Sequence, residues 1–274
     1  MCVKNGNSGE VVCLVPLKLT RLFGEITIKR EQNLIESWLI YMNNLKIIKV
    51  ENPEQGAENV CEIIKNELES GRLNVLGLAT GSTMIPVYNK WTASDLDFSN
   101  IVTFNLDEYI GIPESSPHSY AYFMSEHLFD KKEFRKTNIP DGMAEDLVEE
   151  CEAYEDLLLE YPLDIQLLGV GENGHIAFNE PGTPLDSVTH VAQLTESTLG
   201  VNSQYFENDE KIPETAITMG ISSILGAKKL ILLAFGEKKR AAITKLLEGN
   251  VTAQWPITKL LDHDDVIIIT DLEI

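Results

Sequence analysis

The chain has 274 residues, 43% hydrophobic and 24% charged, enough apolar material for a sizeable core and unlike a disordered acidic tail. Its 22 basic and 43 acidic side chains leave a formal charge of -21, so no basic face is available to grip nucleic acid or an anionic membrane. The cysteines (Cys2, Cys13, Cys61, Cys151) are widely spaced and read as free thiols, and the apolar run Val11 to Leu17 is far short of the ~20 residues of a membrane span and lacks a signal-peptide cleavage pattern. The expectation is a cytoplasmic protein without a metal or cofactor.

Residues 1 to 41 carry five basic side chains (Lys4, Lys18, Arg21, Lys29, Arg30) and four acidic ones (Glu10, Glu25, Glu31, Glu36), a balance of +1 that leaves -22 for the rest. The shift predicts an N-terminal extension outside the core fold, with Met42 as the natural start and residues 42 to 274 as a single α/β domain. The alternative is an extra helix over Gln32 to Met42 packed on the body.

From Leu45 onward short apolar runs alternate with helical stretches. Lys46 to Val50 predicts a strand. Pro53 to Ser70 predicts an amphipathic helix with Ala57, Val60, Cys61, Ile64 and Leu68 on one face. Asn74 to Ala79 and Ile101 to Leu106 are further strands, with a helix over Met84 to Trp91 between them. Gly111 to His118, rich in proline and serine, is a lid-like loop before a helix over Ser119 to Phe129. Glu145 to Leu159 has the spacing of a solvated amphipathic helix. Ile165 opens a run suited to a strand buried on both faces, broken by Gly169, Gly171 and Gly174. After a polar segment, Gly182 to Asn208, a helix is expected over Ile217 to Leu225, a strand over Lys229 to Phe235, a helix opened by Lys238, Lys239 and Arg240, and a closing strand over Val266 to Thr270. The predicted class is a three-layer, Rossmann-like α/β fold, its mostly parallel sheet covered by helices on both faces.

Chemistry gathers where these strands end. Thr80-Gly81-Ser82-Thr83 lies between a strand and a helix, where backbone N–H groups and the helix dipole make an anion cradle; a plain capped turn is the other reading. Asp107 and Glu108 follow the next strand, as a helix cap or solvated turn or as a catalytic carboxylate. Asn173, His175 and Glu180 sit within eight residues of one another after the glycine-broken strand. Three cations at a helix start oppose its dipole, a conflict that a bound anion would resolve. No serine or cysteine lies in a Gly-x-Ser-x-Gly elbow, so general acid and base groups acting on a small phosphorylated molecule remain.

The segments Leu78-Ala79-Thr80-Gly81-Ser82-Thr83, Phe104-Asn105-Leu106-Asp107-Glu108-Tyr109, Ser119-Tyr120 with Phe123-Met124, and Gly169 to Pro181, containing Gly-His-Ile-Ala-Phe-Asn-Glu-Pro, resemble those of glucosamine-6-phosphate deaminases. The resemblance runs from about Leu45 to Asp271. The related 6-phosphogluconolactonases would show Gly-His-Thr-Ala-Ser and Asp-Glu-Arg instead. The resemblance implies isomerisation and deamination of glucosamine 6-phosphate to fructose 6-phosphate and ammonia in amino-sugar catabolism. His175 would open the sugar ring, tuned by Asn173 and Glu180. Asp107 would move a proton from C2 to C1. Tyr120 would lie in the lid, and Thr80, Gly81, Ser82, Thr83, Lys239 and Gln204 would hold the phosphate.

Gln204 stands where many members carry an arginine, and Val188 and Leu199 stand at positions often basic in relatives. His190 and Ala192 occupy the segment where regulated members place basic residues, so no activation by an allosteric sugar phosphate is expected. The alternatives are a galactosamine-6-phosphate deaminase/isomerase and a non-catalytic sugar-phosphate sensor of the same fold. The expected partner is a small-molecule sugar phosphate, with neither nucleic acid nor membrane, for a monomer or homo-oligomer.

Overall fold

The computed structural model of the chain describes residues 2–4, 11–13, 26–29, 38–42, 45–195, 198–200 and 213–274. Strands β1 (Cys2–Lys4) and β2 (Val11–Cys13) pair with each other, and β3 (Ile26–Lys29) pairs antiparallel with β4 (Trp38–Met42). The 38–42 stretch is thus a strand, not the end of a helix. It lies antiparallel along β5 (Leu45–Lys49), with Trp38 opposite Lys49 and Met42 opposite Leu45.

Beyond β5 the chain forms β6 (Val75–Leu78), β7 (Val102–Asn105), β8 (Asp107–Tyr109), β9 (Lys136–Asn138) and β10 (Ile165–Leu168). It then forms β11 (His190–Gln193), β12 (Thr215–Thr218), β13 (Lys229–Ala234) and β14 (Val266–Thr270). Seven of these strands run parallel in the order β5-β14-β13-β10-β6-β7-β9, and β4 and β3 extend the β5 edge. The apolar runs are buried on both faces, as parallel strands require: every residue of β6, β7, β10 and β14 is buried.

The helices are set by local signals. In α1 (Pro53–Glu69) the Asn52 side chain accepts from the Gln55 amide at 2.9 Å, Pro53 fits the first turn, and Ala57, Val60 and Ile64 face the core. Next come α2 (Ile85–Ala93) and α3 (Tyr120–Met124), which loosens into a π turn at Ser125–Phe129, with the Asp130 amide bonded to the Ser125 carbonyl at 3.2 Å. Asp146 caps α4 (Leu147–Glu160), accepting from Val148 and Glu149. One acid of α4 is not merely solvated: Glu155 accepts from the Thr189 amide at 2.8 Å and the Ser223 hydroxyl at 2.6 Å, anchoring the polar segment.

Two stretches differ from the sequence reading. The expected helix over 217–225 is β12 followed by the short α5 (Ile221–Leu225), because Thr215, Ile217 and Thr218 are β-branched and pair into a sheet before Gly220 turns the chain. Asp107-Glu108-Tyr109 is neither cap nor turn but a buried strand, pairing with β12, which pairs in turn with β11. This three-stranded antiparallel sheet sits at the carboxyl end of the parallel one, tied to it by the Leu106 amide on Leu78 O (3.2 Å) and the Met219 amide on Leu106 O (2.7 Å). Among the described residues no helix is long and apolar enough to cross a membrane.

Candidate active site

From β6 the chain steps outward to β7 and β9, then returns to the other side of β6 and continues through β10, β13 and β14. The reversal opens a crevice at the carboxyl ends of β6 and β10, where open α/β sheets bind ligands. The segments singled out in the sequence all emerge there: Lys239 after β13, the histidine loop after β10, Thr80–Thr83 after β6, and Asp107 after β7. At about 4.8 Å between strands, they span roughly 15 Å.

The histidine loop is built on glycine. A Cβ on Gly171 would lie 2.2 Å from His175 Cε1, so only glycine lets the imidazole lie against the turn, and Gly174 (φ 82°) packs under Trp255. Ala177 holds a left-handed φ of 51°, a non-glycine strain between His175 and Glu180. The neighbouring Asn179 amide is bonded to Ile176 O (3.0 Å) and Met219 O (2.8 Å), which fixes that turn.

His175 Nδ1 is 2.7 Å from Asn173 Oδ1 and 3.6 Å from Glu180 Oε2. Because the Asn173 amide nitrogen donates to Glu180 Oε2 at 2.9 Å, its oxygen faces the ring. The imidazole therefore carries a proton on Nδ1 and is left with Nε2 as an acceptor. The other Glu180 oxygen accepts from the Thr198 hydroxyl. Burial works to raise the Glu180 carboxyl, but His175, Thr198 and Asn173 outweigh it and hold it at about 2.

Asp107 is different. It is 7% exposed, and its carboxylate receives no hydrogen bond among the described residues. Burial first, and the charge of Glu108 second, push it up to about 8. An isolated carboxyl with a high proton affinity at a crevice is suited to take a proton from carbon.

The turn after β6 places Gly81 at φ 97° with Gly81 and Ser82 exposed, and no side chain caps the amides of α2. A cradle needs such a start without a side-chain cap; here Pro86 has no N–H to offer and the Met84 amide is bonded to Gly81 O at 3.0 Å. The three cations separate into distinct roles. Arg240 forks onto Glu237 (two contacts of 2.6 Å), which relieves its clash with the dipole of α6 (Arg240–Leu247). Lys238 reaches Glu172 at 3.3 Å on the surface. Lys239 is half-buried without an ion pair among the described residues; burial, with Lys238 beside it, lowers its pKa against the pull of Glu172.

Tyr120 joins the parts. Its ring stacks on Phe178 of the histidine loop (6.0 Å, 10°) and packs on Tyr109 of β8 (4.8 Å), its hydroxyl meets Tyr109 Oη at 3.1 Å, and it contacts the Thr80 side chain. The sequence marks Glu108 only as one of two carboxylates at a strand end, and it does not mark Tyr109, Phe178 and Thr198 as site residues. Glu108, Tyr109 and Phe178 lie within the quoted motifs, but only the packing reveals their contacts. A cleft of about 590 Å³ opens beside the lid, lined by Glu108, Ile112, Ala121, Asp141 and Met143 among others, and contains neither Asp107 nor His175. Gln204 lies outside the described residues.

Fold and site together define an α/β protein with a hydrogen-bonded histidine and a buried carboxyl group at a switch-point crevice. The family model for glucosamine-6-phosphate isomerases/6-phosphogluconolactonase matches residues 50–268, and the chain belongs to this family. The glucosamine-6-phosphate deaminase of Lactobacillus helveticus is 50% identical over 227 residues, 83% of this chain and 95% of that protein. That of Enterococcus faecalis is 50% identical over 227 residues, 83% of this chain and 97% of that protein. Among solved structures, a monomeric glucosamine-6-phosphate deaminase superposes with a TM-score of 0.79 at 39% identity, over 82% of this chain and 96% of that one. The 6-phosphogluconolactonase of Trypanosoma brucei (TM-score 0.67, 20% identity, 82% and 95% covered) shares the fold.

Proposed function

We propose that the protein is an enzyme that converts glucosamine 6-phosphate and water to fructose 6-phosphate and ammonia. The observation that carries the reading is the pairing, across the end of β6, of a relayed imidazole with a buried carboxyl that has no hydrogen-bond partner among the described residues, in a chain 50% identical to proteins bearing that name. His175 Nε2 takes the proton of the anomeric hydroxyl and returns it to the ring oxygen, opening the pyranose. Glu180, ionised and hydrogen-bonded through Asn173, steadies the imidazolium that forms in between. Asp107 removes the proton at C2 of the open aldehyde and delivers it to C1, while one proton of the 2-ammonium group passes to O1; the resulting protonated ketimine takes up water at C2 and releases ammonia. The 2-ammonium group arriving beside Asp107 favours its ionised form, which supplies the base only when substrate is present.

Lys239 and the amides around Gly81 hold the phosphate, and that remote grip positions C2 against the base. Ammonia release from glucosamine 6-phosphate, with galactosamine 6-phosphate as competitor and Asp107→Asn as control, tests the reading. Release from neither sugar, with binding of either retained, would establish a sensor instead. Residues 1–41 remain separable in this reading. Their removal uncovers β5, whose Lys46 and Lys49 guard a bare edge, and activity is expected to stay within twofold.

A further inference from the structure

Glu108 is 3% exposed and stands next to Asp107 on β8. Its Oε1 accepts from the amides of Tyr109 (2.8 Å) and Tyr120 (2.9 Å), and its Oε2 accepts from Ala121 (2.8 Å). Tyr120 and Ala121 are the first two residues of α3, the helix that follows the 111–118 loop, and the Ser119 hydroxyl takes the Tyr122 amide at 3.0 Å. Three backbone donors converge on one side chain, so both its oxygens must be acceptors; a glutamine would turn a donor toward a donor. A buried carboxylate with no cation on it among the described residues is a costly way to hold a helix, and a purely structural anchor does not require it beside the proposed base.

We propose that Glu108 is a positioning residue for the reaction: it holds the first turn of α3, and with it Tyr120, against the strand that carries Asp107. This rests on Asp107 being the base. Through Tyr120 the anchor reaches Phe178 and the Thr80 side chain, so one carboxylate sets the lid relative to the base, the histidine loop and the β6 turn. Its charge has a second effect, opposing ionisation of Asp107. The groups around this pair are Tyr109 on β8, Tyr120 on α3, Tyr154 on α4, and Glu114 and Asp141 along the adjoining cleft; none is a cation.

Two variants separate anchor from charge. Glu108→Gln removes the charge and one acceptor, and is expected to lower kcat about 10- to 100-fold and to move the acid limb of the kcat/KM profile about one pH unit lower. Glu108→Asp keeps the charge but falls a methylene short, and is expected to lose kcat at least fivefold with the limb in place. Two readouts need no turnover: carbon-13 titration of the Asp107 carboxyl, assigned by its loss in Asp107→Asn, and hydrogen exchange of the Tyr120 and Ala121 amides. The carboxyl is expected to titrate lower in Glu108→Gln and the amides to exchange at least tenfold faster in both variants. Full kcat in either variant, an unmoved Asp107 titration in Glu108→Gln, or wild-type exchange at both amides would overturn the proposal. Should the wild type release no ammonia, the assigned reaction fails while titration and exchange still decide the role of Glu108. Should Glu108→Gln not fold, Glu108→Asp with amide exchange decides it.

Discussion

Replacing Asp107 with asparagine should abolish ammonia release and at the same time stabilise the protein in alkali. The carboxyl is held at about 8 against an ordinary 3.8, so between those values the folded chain binds this proton more tightly than the unfolded chain does. A raised carboxyl contributes stability that is complete below the unfolded value and is lost as pH climbs through the folded one. Well inside that window each pH unit costs about 1.4 kcal/mol, and less as the folded value is reached, so moving from pH 6 to pH 8 costs the wild type roughly 2 kcal/mol. Asparagine, nearly isosteric with the neutral acid, has nothing to ionise there. Glu108 is raised too, by burial against its three amides, but it is present in both proteins and largely cancels in the comparison. Urea unfolding of both proteins between pH 5 and pH 9 reads the difference, which should widen with pH at constant m-value. In melting temperature the relative shift from pH 6 to pH 8 is roughly 4 to 8 °C for a chain of this size. A difference that stays constant across that range would refute the picture of Asp107 as a buried, unpartnered acid.

Glu180 titrates in the opposite sense. Its carboxyl lies at about 2, below the ordinary 4.5, so its stabilisation is present above 4.5 and lost as pH falls toward 2. With screening by solvent at the crevice, Glu180→Gln should cost about 1 to 2 kcal/mol at pH 7 and almost nothing near pH 2; equal melting temperatures at pH 7 would contradict this. Gly171→Ala places a Cβ 2.2 Å from His175 Cε1 and should lower kcat/KM at least 100-fold by displacing the ring, with the fold retained on circular dichroism. Wild-type activity in that variant would show that the ring position does not matter. Lys239→Ala removes a charge-assisted contact worth about 1.5 to 3 kcal/mol and should raise KM roughly 10- to 100-fold with little change in kcat. Because Lys239 makes no ion pair among the described residues, its melting temperature should not fall, and an unchanged KM would place the phosphate elsewhere.

The layered fold was legible in the sequence because parallel strands buried on both faces are written as unbroken apolar runs. Val266 to Thr270 is legible to the residue, and the Pro53 helix to within one, from its apolar face. What escaped was the small antiparallel sheet. Asp107-Glu108-Tyr109 and His190-Val191-Ala192-Gln193 carry polar or charged side chains where a strand pattern expects apolar ones, and only mutual pairing at the end of the larger sheet makes them strands. The same sheet inverted the reading of Glu108, which in sequence looks like a solvated acid and in the fold is a buried acceptor of three amides. The cluster of cations was legible only as a conflict. Its resolution needs Glu237, which takes Arg240, and Glu172, which takes Lys238, leaving Lys239 without an ion pair among the described residues.

The separation of the two chemical steps follows from sheet order. β10, which presents His175, and β7, which leads to Asp107, flank β6, so their ends stand about 10 Å apart. That distance leaves room for a sugar ring with its anomeric side toward the imidazole and its C2 side toward the carboxyl, provided the middle strand ends in something small. It does: β6 runs into Ala79-Thr80-Gly81-Ser82, and Gly81 at φ 97° turns the backbone away with nothing within 4 Å of where a Cβ would lie. In the proposed reaction the glycine serves both steps, by leaving that position without a side chain and by preceding a helix that no side chain caps among the described residues.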